Sequence, residues 1–205
     1  MSIFLQLAIA GLVSWTVAVL GSYAMIRLAR RYNWVDQPRT DRWHQKATPT
    51  FGGAPIFLAF IAGIVPFLDF FNVQNIAMLV GAFLMFVTGL LDDVVKIRPG
   101  SKLLAQMVST ALMMLCGVWA LSTWSAWIAL PVTFLWFIGI TNALNLLDGM
   151  DGLAAGIAAI SCLAIVVVSM SNLSYPVAIM AISLAAANLG FLIFNFHPAR
   201  IFMGD

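Results

Sequence analysis

Charge is scarce in this 205-residue chain: 9% of its residues are charged, 62% are hydrophobic, and the mean hydropathy is +1.00. A soluble domain carries about 25% charged residues. A soluble globular enzyme, a disordered tail and a nucleic-acid-binding domain are therefore excluded, and no nucleic-acid partner is expected. Glutamate is absent altogether, so the eight acids are all aspartate. Cysteine is confined to Cys116 and Cys162. Both lie in apolar runs, share no CxxC spacing and sit far from either histidine. They read as small core residues, not as a zinc site or a disulfide. The chain also lacks internal repeats, low-complexity tracts, a Walker loop and a GxGxxG run.

What the chain has in quantity is apolar sequence. About 20 apolar residues cross a bilayer as a helix. Seven such stretches occur, near 3–27, 54–71, 76–95, 102–121, 126–144, 152–170 and 176–196. The first has no basic residue before it and a cluster of arginines after it, the reverse of a cleavable signal peptide, and is expected to be a retained span. The expected fold is all-α, a polytopic membrane helical bundle, with residues 1–205 as a single transmembrane catalytic domain. Pro66 and Pro131 are expected to kink or end their spans. Trp119, Trp124 and Trp127 suit packing and an interfacial belt.

Alternating the spans sorts the charges. Arg27, Arg30, Arg31, Arg39, Arg42, Lys46, Lys96, Arg98, Lys102 and Arg200 all belong to one side or to span ends that face it. The positive-inside rule makes that side cytoplasmic and puts the N-terminus outside. Asp36, Asp41, Asp92, Asp93, Asp148, Asp151 and Asp205, with His44 and His197, gather on the same side; only Asp69 falls on the other. Ionisable chemistry from four loops at one membrane face suits an enzyme that takes a water-soluble substrate from the cytoplasm and a lipid substrate from the bilayer.

Four segments carry that chemistry. In the long loop near 28–53, Pro38, Pro49, Gly52 and Gly53 preclude a regular helix. Arg27, Arg30 and Arg31 fit an anchor for anionic lipid headgroups or a functional basic cluster. His44 and Lys46 lie beside the TPTFGG turn, whose glycines let backbone N–H groups approach an anion. The third stretch ends in GLLDDVVKIRPGSK. One carboxylate at a helix centre costs about 2.5–3.5 kcal/mol on the insertion scale. Asp92 and Asp93 therefore belong at the interface or in a polar cavity. They fit either an interfacial ion pair with Lys96, within helical pairing range, or a metal or base site facing phosphates.

The fifth stretch runs into TNALNLLDGMDGLAAG. Asn142, Asn145, Asp148 and Asp151 recur every three residues, and each step drifts about 60° on an ideal helix. They converge if the helix tightens or breaks, which Gly149 and Gly152 permit. Capping and a turn are the plainer explanation, but four polar groups in a polar–apolar comb are more than a cap needs. As oxygen donors these groups suit Mg²⁺. The seventh stretch ends in NLGFLIFNFHPARIFMGD, where Asn188 and Asn195 are polar groups in an apolar helix, Pro198 ends it, and Asp205 is the last residue.

Taken in order, HQKATPTFGG, LLDDVVKI with Lys102 and Gln106 beyond it, NALNLLDGMDGLAAG and NFHPARIFMGD resemble the polytopic polyprenyl-phosphate N-acetylhexosamine-1-phosphate transferases. This glycosyltransferase-4 family also includes the phospho-MurNAc-pentapeptide translocase. NFHPARIFMGD is more similar to the branch that handles UDP-GlcNAc-type sugars, TPTFGG to the other. Members continue past MGD with Gly-Ser, further spans and a cytoplasmic loop rich in His and Arg, so the expectation is a C-terminally incomplete piece of about ten spans.

The resemblance implies transfer of a sugar-1-phosphate from a UDP-sugar to polyprenyl (undecaprenyl) phosphate, with release of UMP, at the cytoplasmic face of the cell inner membrane. It implies Mg²⁺, with Mn²⁺ as the alternative, to screen the diphosphate and stabilise the leaving oxygen. Asn145 and Asp205 become the expected metal ligands. Asp92, Asp93 and Lys102 become the catalytic set at the reacting phosphates. Asp148, Asp151, Phe202 and Lys46 are expected at the uridine end, with His44, Asn142, Asn195 and Arg200 as further substrate-binding residues. The lipid bilayer is a partner, and a homodimer is compatible with the family. A phosphate monoester has a second pKa near 6 and needs little help from a base. Direct attack is therefore preferred to an acyl-phosphate on Asp.

Two other classes fit less well. Intramembrane prenyltransferases use NDxxD-like runs, which NxxNxxDGxDG matches poorly. A transporter with an Asp cation site would place ionisable groups near the midplane or on both faces. The topology has a direct test. In a background with Cys116 and Cys162 replaced, a membrane-impermeant thiol reagent added outside intact cells should label Thr123→Cys and spare Gln45→Cys. The reverse pattern overturns the orientation.

Overall fold

The computed structural model describes residues 1–36, 48–69, 71–121 and 123–205. In chain order these form α1 (Ile3–Tyr32), β1 (Val35–Asp36), β2 (Thr48–Pro49), α2 (Gly53–Ile64), a 3-10 turn (Val65–Phe67), α3 (Val73–Val95), α4 (Pro99–Leu115), α5 (Ala126–Leu147), α6 (Leu153–Ser171) and α7 (Tyr175–Asn195). Each expected apolar stretch contains one of these α-helices, so the all-α polytopic fold is borne out. Helices α1, α3, α5, α6 and α7 are long and apolar enough to cross a membrane. The protein is a multi-pass membrane protein.

Two stretches are shorter as helices than their apolar runs. The 54–71 stretch is α-helical only to Ile64, after which Val65–Phe67 tighten into 3-10 geometry. Pro66 supplies the reason, since it has no N–H to give and its ring crowds the carbonyl four residues back. The 102–121 stretch ends as a helix at Leu115, where Gly117 takes a left-handed φ of +83° and the Val118 N–H turns back to the Met113 carbonyl. Pro131, by contrast, sits inside α5 without ending it. Prolines open α4 at Pro99 and the first turn of α7 at Pro176, where a missing N–H costs nothing. In the 28–53 loop, Val35 and Asp36 pair antiparallel with Pro49 and Thr48.

The chain folds as two compact units: residues 1–68 with 148–204, and residues 69–147 with Asp205. In the first unit α1, α2, α6 and α7 pack together. Ala10, Ser14, Ala18, Ser22 and Ile26 are buried positions of α1 and recur every fourth residue. Such a small-residue stripe lets backbones approach closely where lipid removes the hydrophobic drive between helices. Alanines and Gly190 line the buried face of α7. A Cβ on Gly190 would lie 2.8 Å from the Trp15 carbonyl oxygen. Ala18, Ile26, Ile56, Ala59, Ala155, Ala187, Phe191 and Ile201 form the apolar core.

In the second unit α3 packs on α4 and α4 on α5. Polar side chains tie the helices where apolar packing is thin. Ser109 Oγ donates to the Gly81 carbonyl at 3.1 Å. Thr133 Oγ1 donates to the Ala129 carbonyl at 2.7 Å and accepts the Ala120 N–H at 3.1 Å.

The tightest packing of the first unit surrounds Gly63 of α2. A Cβ there would overlap Ser14 Oγ and lie 2.8 Å from Ser183 Oγ and 2.9 Å from the Ala10 carbonyl oxygen. Because a backbone atom is among the neighbours, α1 must move. Gly63→Ala should cost about 1–3 kcal/mol. Gly156→Ala, inside α6 with nothing within 4 Å of its Cβ position, should gain up to about 1 kcal/mol from helix propensity. Melting temperatures in detergent test the pair; equal stability of the two variants would refute the close α1–α2–α7 approach.

Candidate functional site

Asp92 and Asp93 close α3. Lys96 follows as its cap, with a left-handed φ of +53° and its N–H on the Asp92 carbonyl at 2.9 Å. That conformation takes Lys96 off the helical path on which an i, i+4 pair forms. The ion-pair partner of Asp92 is instead Lys102, in the first turns of α4. Its Nζ donates to Asp92 Oδ2 at 3.2 Å.

The same ammonium donates to Asp205 Oδ2, and the Asp205 backbone N–H donates to Asp93 Oδ1 at 3.0 Å. Asp92, Asp93, Lys102 and Asp205 therefore form one cluster, as expected from their motifs. Gly89, one turn before Asp93, lets the end segment in: a Cβ there would lie 2.5 Å from the Asp205 carbonyl carbon. Sequence reasoning misses Gly89, because a glycine in an apolar helix has no signature of its own.

The electrostatics of the cluster are uneven: one ammonium bridges the Asp92 and Asp205 carboxylates, and a third carboxylate, Asp93, holds the Asp205 backbone N–H. Burial pushes the Asp205 carboxyl above the ordinary carboxylate range, and its hydrogen bond with the Asp92 carboxyl adds to this, while Lys102 opposes it. Such a donor set fits a hard divalent cation. Among the described residues, however, no group of three or more His, Cys, Asp or Glu side chains is arranged to hold a metal.

Asn142 and Asn145 lie on α5 in the same unit. Asn142 Nδ2 donates to Gln106 Oε1 and to the Ile138 carbonyl, both at 2.8 Å, and Gln106 Nε2 returns a bond to its Oδ1 at 3.4 Å. Its amide joins α4 to α5. Asn145 is half-buried one step further on and is not among the hydrogen-bond partners of Asp205.

The remaining candidates belong to the other unit. The comb breaks where its glycines permit: α5 stops at Leu147, and Asp148 to Gly152 form a turn that ends with Gly152 at a φ of +72°. Asp151 Oδ2 accepts the Ala199 N–H at 3.1 Å and lies 2.9 Å from His197 Nδ1. Asn195, 3% exposed, accepts the Gly152 N–H at 3.0 Å and donates to the Ile201 carbonyl at 2.9 Å. Asn195 thus locks two turns together. Asp148 is half-buried at the head of its turn and Arg200 is exposed.

The TPTFGG turn corrects one expectation. Its glycine N–H groups are not offered to an anion. Gly52 N–H donates to the Phe202 carbonyl at 2.9 Å and Gly53 N–H to the Met203 carbonyl at 2.7 Å, while Phe202 N–H donates to the Pro49 carbonyl at 2.8 Å. The turn is a docking rail for the extended segment after α7. A Cβ on Gly52 would lie 2.6 Å from the Phe202 carbonyl oxygen, so the approach requires glycine. Phe202 is held there, half-buried. His44 and Lys46 lie outside the described residues.

The raised Asp205 pKa has a signed consequence. A carboxyl whose pKa is higher in the folded than in the unfolded state penalises folding when ionised, and the penalty vanishes at pH values below its ordinary range. In chelator, Asp205→Asn should therefore melt above the wild type near pH 7, with the gap closing toward pH 4. A variant that melts lower at pH 7 by a pH-independent margin contradicts the burial argument.

Comparison with known proteins identifies the relatives of this chain. The pattern of glycosyl transferase family 4 matches residues 75–205. A probable undecaprenyl-phosphate N-acetylglucosaminyl 1-phosphate transferase of Bacillus subtilis (strain 168) is 35% identical over 98% of this chain and 59% of its own length. A phospho-N-acetylmuramoyl-pentapeptide-transferase of Halalkalibacterium halodurans is 31% identical over 95% of this chain and 68% of its own. A decaprenyl-phosphate N-acetylglucosaminephosphotransferase of Mycobacterium tuberculosis is 32% identical over 98% of this chain and 56% of its own. The chain thus spans a little under three-fifths of the Bacillus subtilis and Mycobacterium relatives. With the matched region running through the Asp92–Asp93 pair to Asp205, the chain belongs to glycosyl transferase family 4.

Proposed function

We propose that the protein transfers an N-acetylhexosamine-1-phosphate from a UDP-sugar to polyprenyl phosphate and releases UMP. The supporting observation is the meeting of Asp92 and Asp205 on Lys102, with Asp93 accepting the Asp205 backbone N–H. A phosphoryl transfer between two anions needs charge placed before reaction more than it needs covalent help. Relatives named for undecaprenyl- and decaprenyl-phosphate N-acetylglucosamine transfer favour UDP-GlcNAc as the donor; those named for phospho-MurNAc-pentapeptide keep the second branch in view. The protein acts at the cytoplasmic face of the cell inner membrane, with its N-terminus outside, on the strength of the one-sided Lys and Arg.

Roles follow from what each side chain is already doing. Lys102 bridges two carboxylates and holds a positive charge where phosphate oxygens would bind. Asp92 and Asp93 orient the lipid phosphate for in-line attack at the β-phosphorus of the donor. The new P–O bond forms as the bond to the UMP oxygen breaks. Asp205, with Asn145 of α5, would hold Mg²⁺ or Mn²⁺. A bound ion would screen the diphosphate and stabilise the leaving oxygen. Asp148, Asp151 and Phe202, with Lys46, serve the nucleotide end.

The test is UMP release by the purified protein, as its gene encodes it, with UDP-GlcNAc and undecaprenyl phosphate. Asp92→Asn and Asp93→Asn should each lower kcat at least about a hundredfold with KM changed far less, the mark of a transition-state role. Asp205→Asn should shift activity to higher Mg²⁺. Near wild-type kcat in both of the first two variants would return the pair to a structural ion pair. An unchanged Mg²⁺ response would remove Asp205 from the metal site.

A further inference from the structure

His197 has an 81% exposed side chain, yet its ring is not free: Nδ1 lies 2.9 Å from Asp151 Oδ2. Holding a surface imidazole in one orientation costs side-chain entropy and buries little, so packing does not explain it. The same carboxylate oxygen accepts the Ala199 N–H at 3.1 Å, which fixes the backbone on the far side of Pro198. Asn195 ties the root of this turn to Gly152 and Ile201. The residue before the proline is thus clamped through both its side chain and its flanking backbone.

The clamp leaves one edge of the ring available. With Nδ1–H donating to Asp151, the tautomer is set and Nε2 faces away from the carboxylate. Three residues on, Arg200 is exposed as well, with its backbone N–H bonded to the Phe194 carbonyl at 2.8 Å. One short turn therefore carries an oriented imidazole and a guanidinium. Asp151 has spent one carboxylate oxygen on holding the turn. An oriented imidazole beside a guanidinium on one turn suits the oxygens of a phosphoryl group.

We propose that His197 contacts a phosphoryl group of a substrate, and that Asp151 is a positioning residue that acts through it. This rests on the transferase reading, which supplies two sources of the same chemistry: the nucleotide diphosphate and the lipid phosphate. It also changes the part given to Asp151, from direct contact with the uridine to support of a neighbour.

Direct binding separates this inference from the reaction. Affinities of the purified protein for UDP and for a short-chain polyprenyl phosphate are measured separately, with no turnover. Loss of one charge-assisted hydrogen bond corresponds to about ten- to hundredfold. His197→Ala should weaken one of the two ligands by that factor and leave the other within about twofold; the ligand that weakens identifies the source. His197→Gln keeps an N–H donor at the end of its side chain and should recover a large part of the loss. Asp151→Asn keeps an oxygen for the Ala199 N–H. It should weaken the same ligand, and add less than about twofold when combined with His197→Ala. Unchanged binding of both ligands by His197→Ala overturns the proposal, as do equal losses for Gln and Ala at 197. Independent, multiplying effects of the 151 and 197 variants would overturn the positioning role. A wild type that binds these ligands but releases no UMP would count against the transferase reading alone.

Discussion

A membrane-spanning helix satisfies its own backbone, but the segment that leaves it does not. After α7 the chain bends through residues 196–201 and runs on to Met203, so its N–H and C=O groups need partners outside the helix. The structure meets the requirement with backbone from far away in sequence. Pro49, Gly52 and Gly53 pair with Phe202 and Met203, and Asn195 and Asp151 take the Ile201 carbonyl and the Ala199 N–H. The IFMGD segment is thereby fixed residue by residue as far as Met203. The demand for backbone hydrogen bonds, more than any side-chain attraction, explains why two glycines follow Phe51 and why Asn195 sits buried in an apolar helix.

Charge is placed by the same economy. Burial and the hydrogen bond with the Asp92 carboxyl work against ionisation of Asp205. The raised pKa of Asp205 reports that strain. Lys102 relieves it in part by bridging Asp92 and Asp205. Catalytic clusters commonly carry this kind of deficit, because groups held ready for charge that develops later cannot also be fully neutralised beforehand.

Much of this is legible in the sequence, and the gaps have physical causes. Seven apolar stretches mark seven helices among the described residues, five of them long and apolar enough to cross a membrane. Helix ends depart from the apolar runs where local backbone chemistry overrides hydropathy: Pro66 tightens one turn and Gly117 ends another helix early. The Asp92, Asp93, Lys102 and Asp205 set is readable from motif order. That Asp92 pairs with Lys102 and not Lys96 is not, because it depends on the left-handed cap at Lys96. The Ala10, Ser14, Ala18, Ser22 stripe is present at helical spacing but is silent in a hydropathy count, where small residues scarcely register.

The polar residues of the fifth and seventh stretches show how one motif divides its labour. Spacing and resemblance group Asn142, Asp151 and Asn195 as substrate contacts. Each instead has committed atoms: both Nδ2 hydrogens of Asn142, both functional atoms of Asn195, and one carboxylate oxygen of Asp151. An amide whose donors and acceptor are already paired must break those bonds to meet a ligand, at about 1–3 kcal/mol for each buried group left unmade. A side chain that is oriented but still has an open edge does not. The ring of His197, held at Nδ1 by Asp151 with Nε2 left open, is such a side chain. Asn142 joins α4 to α5, and Asn195 joins the turn at Gly152 to Ile201.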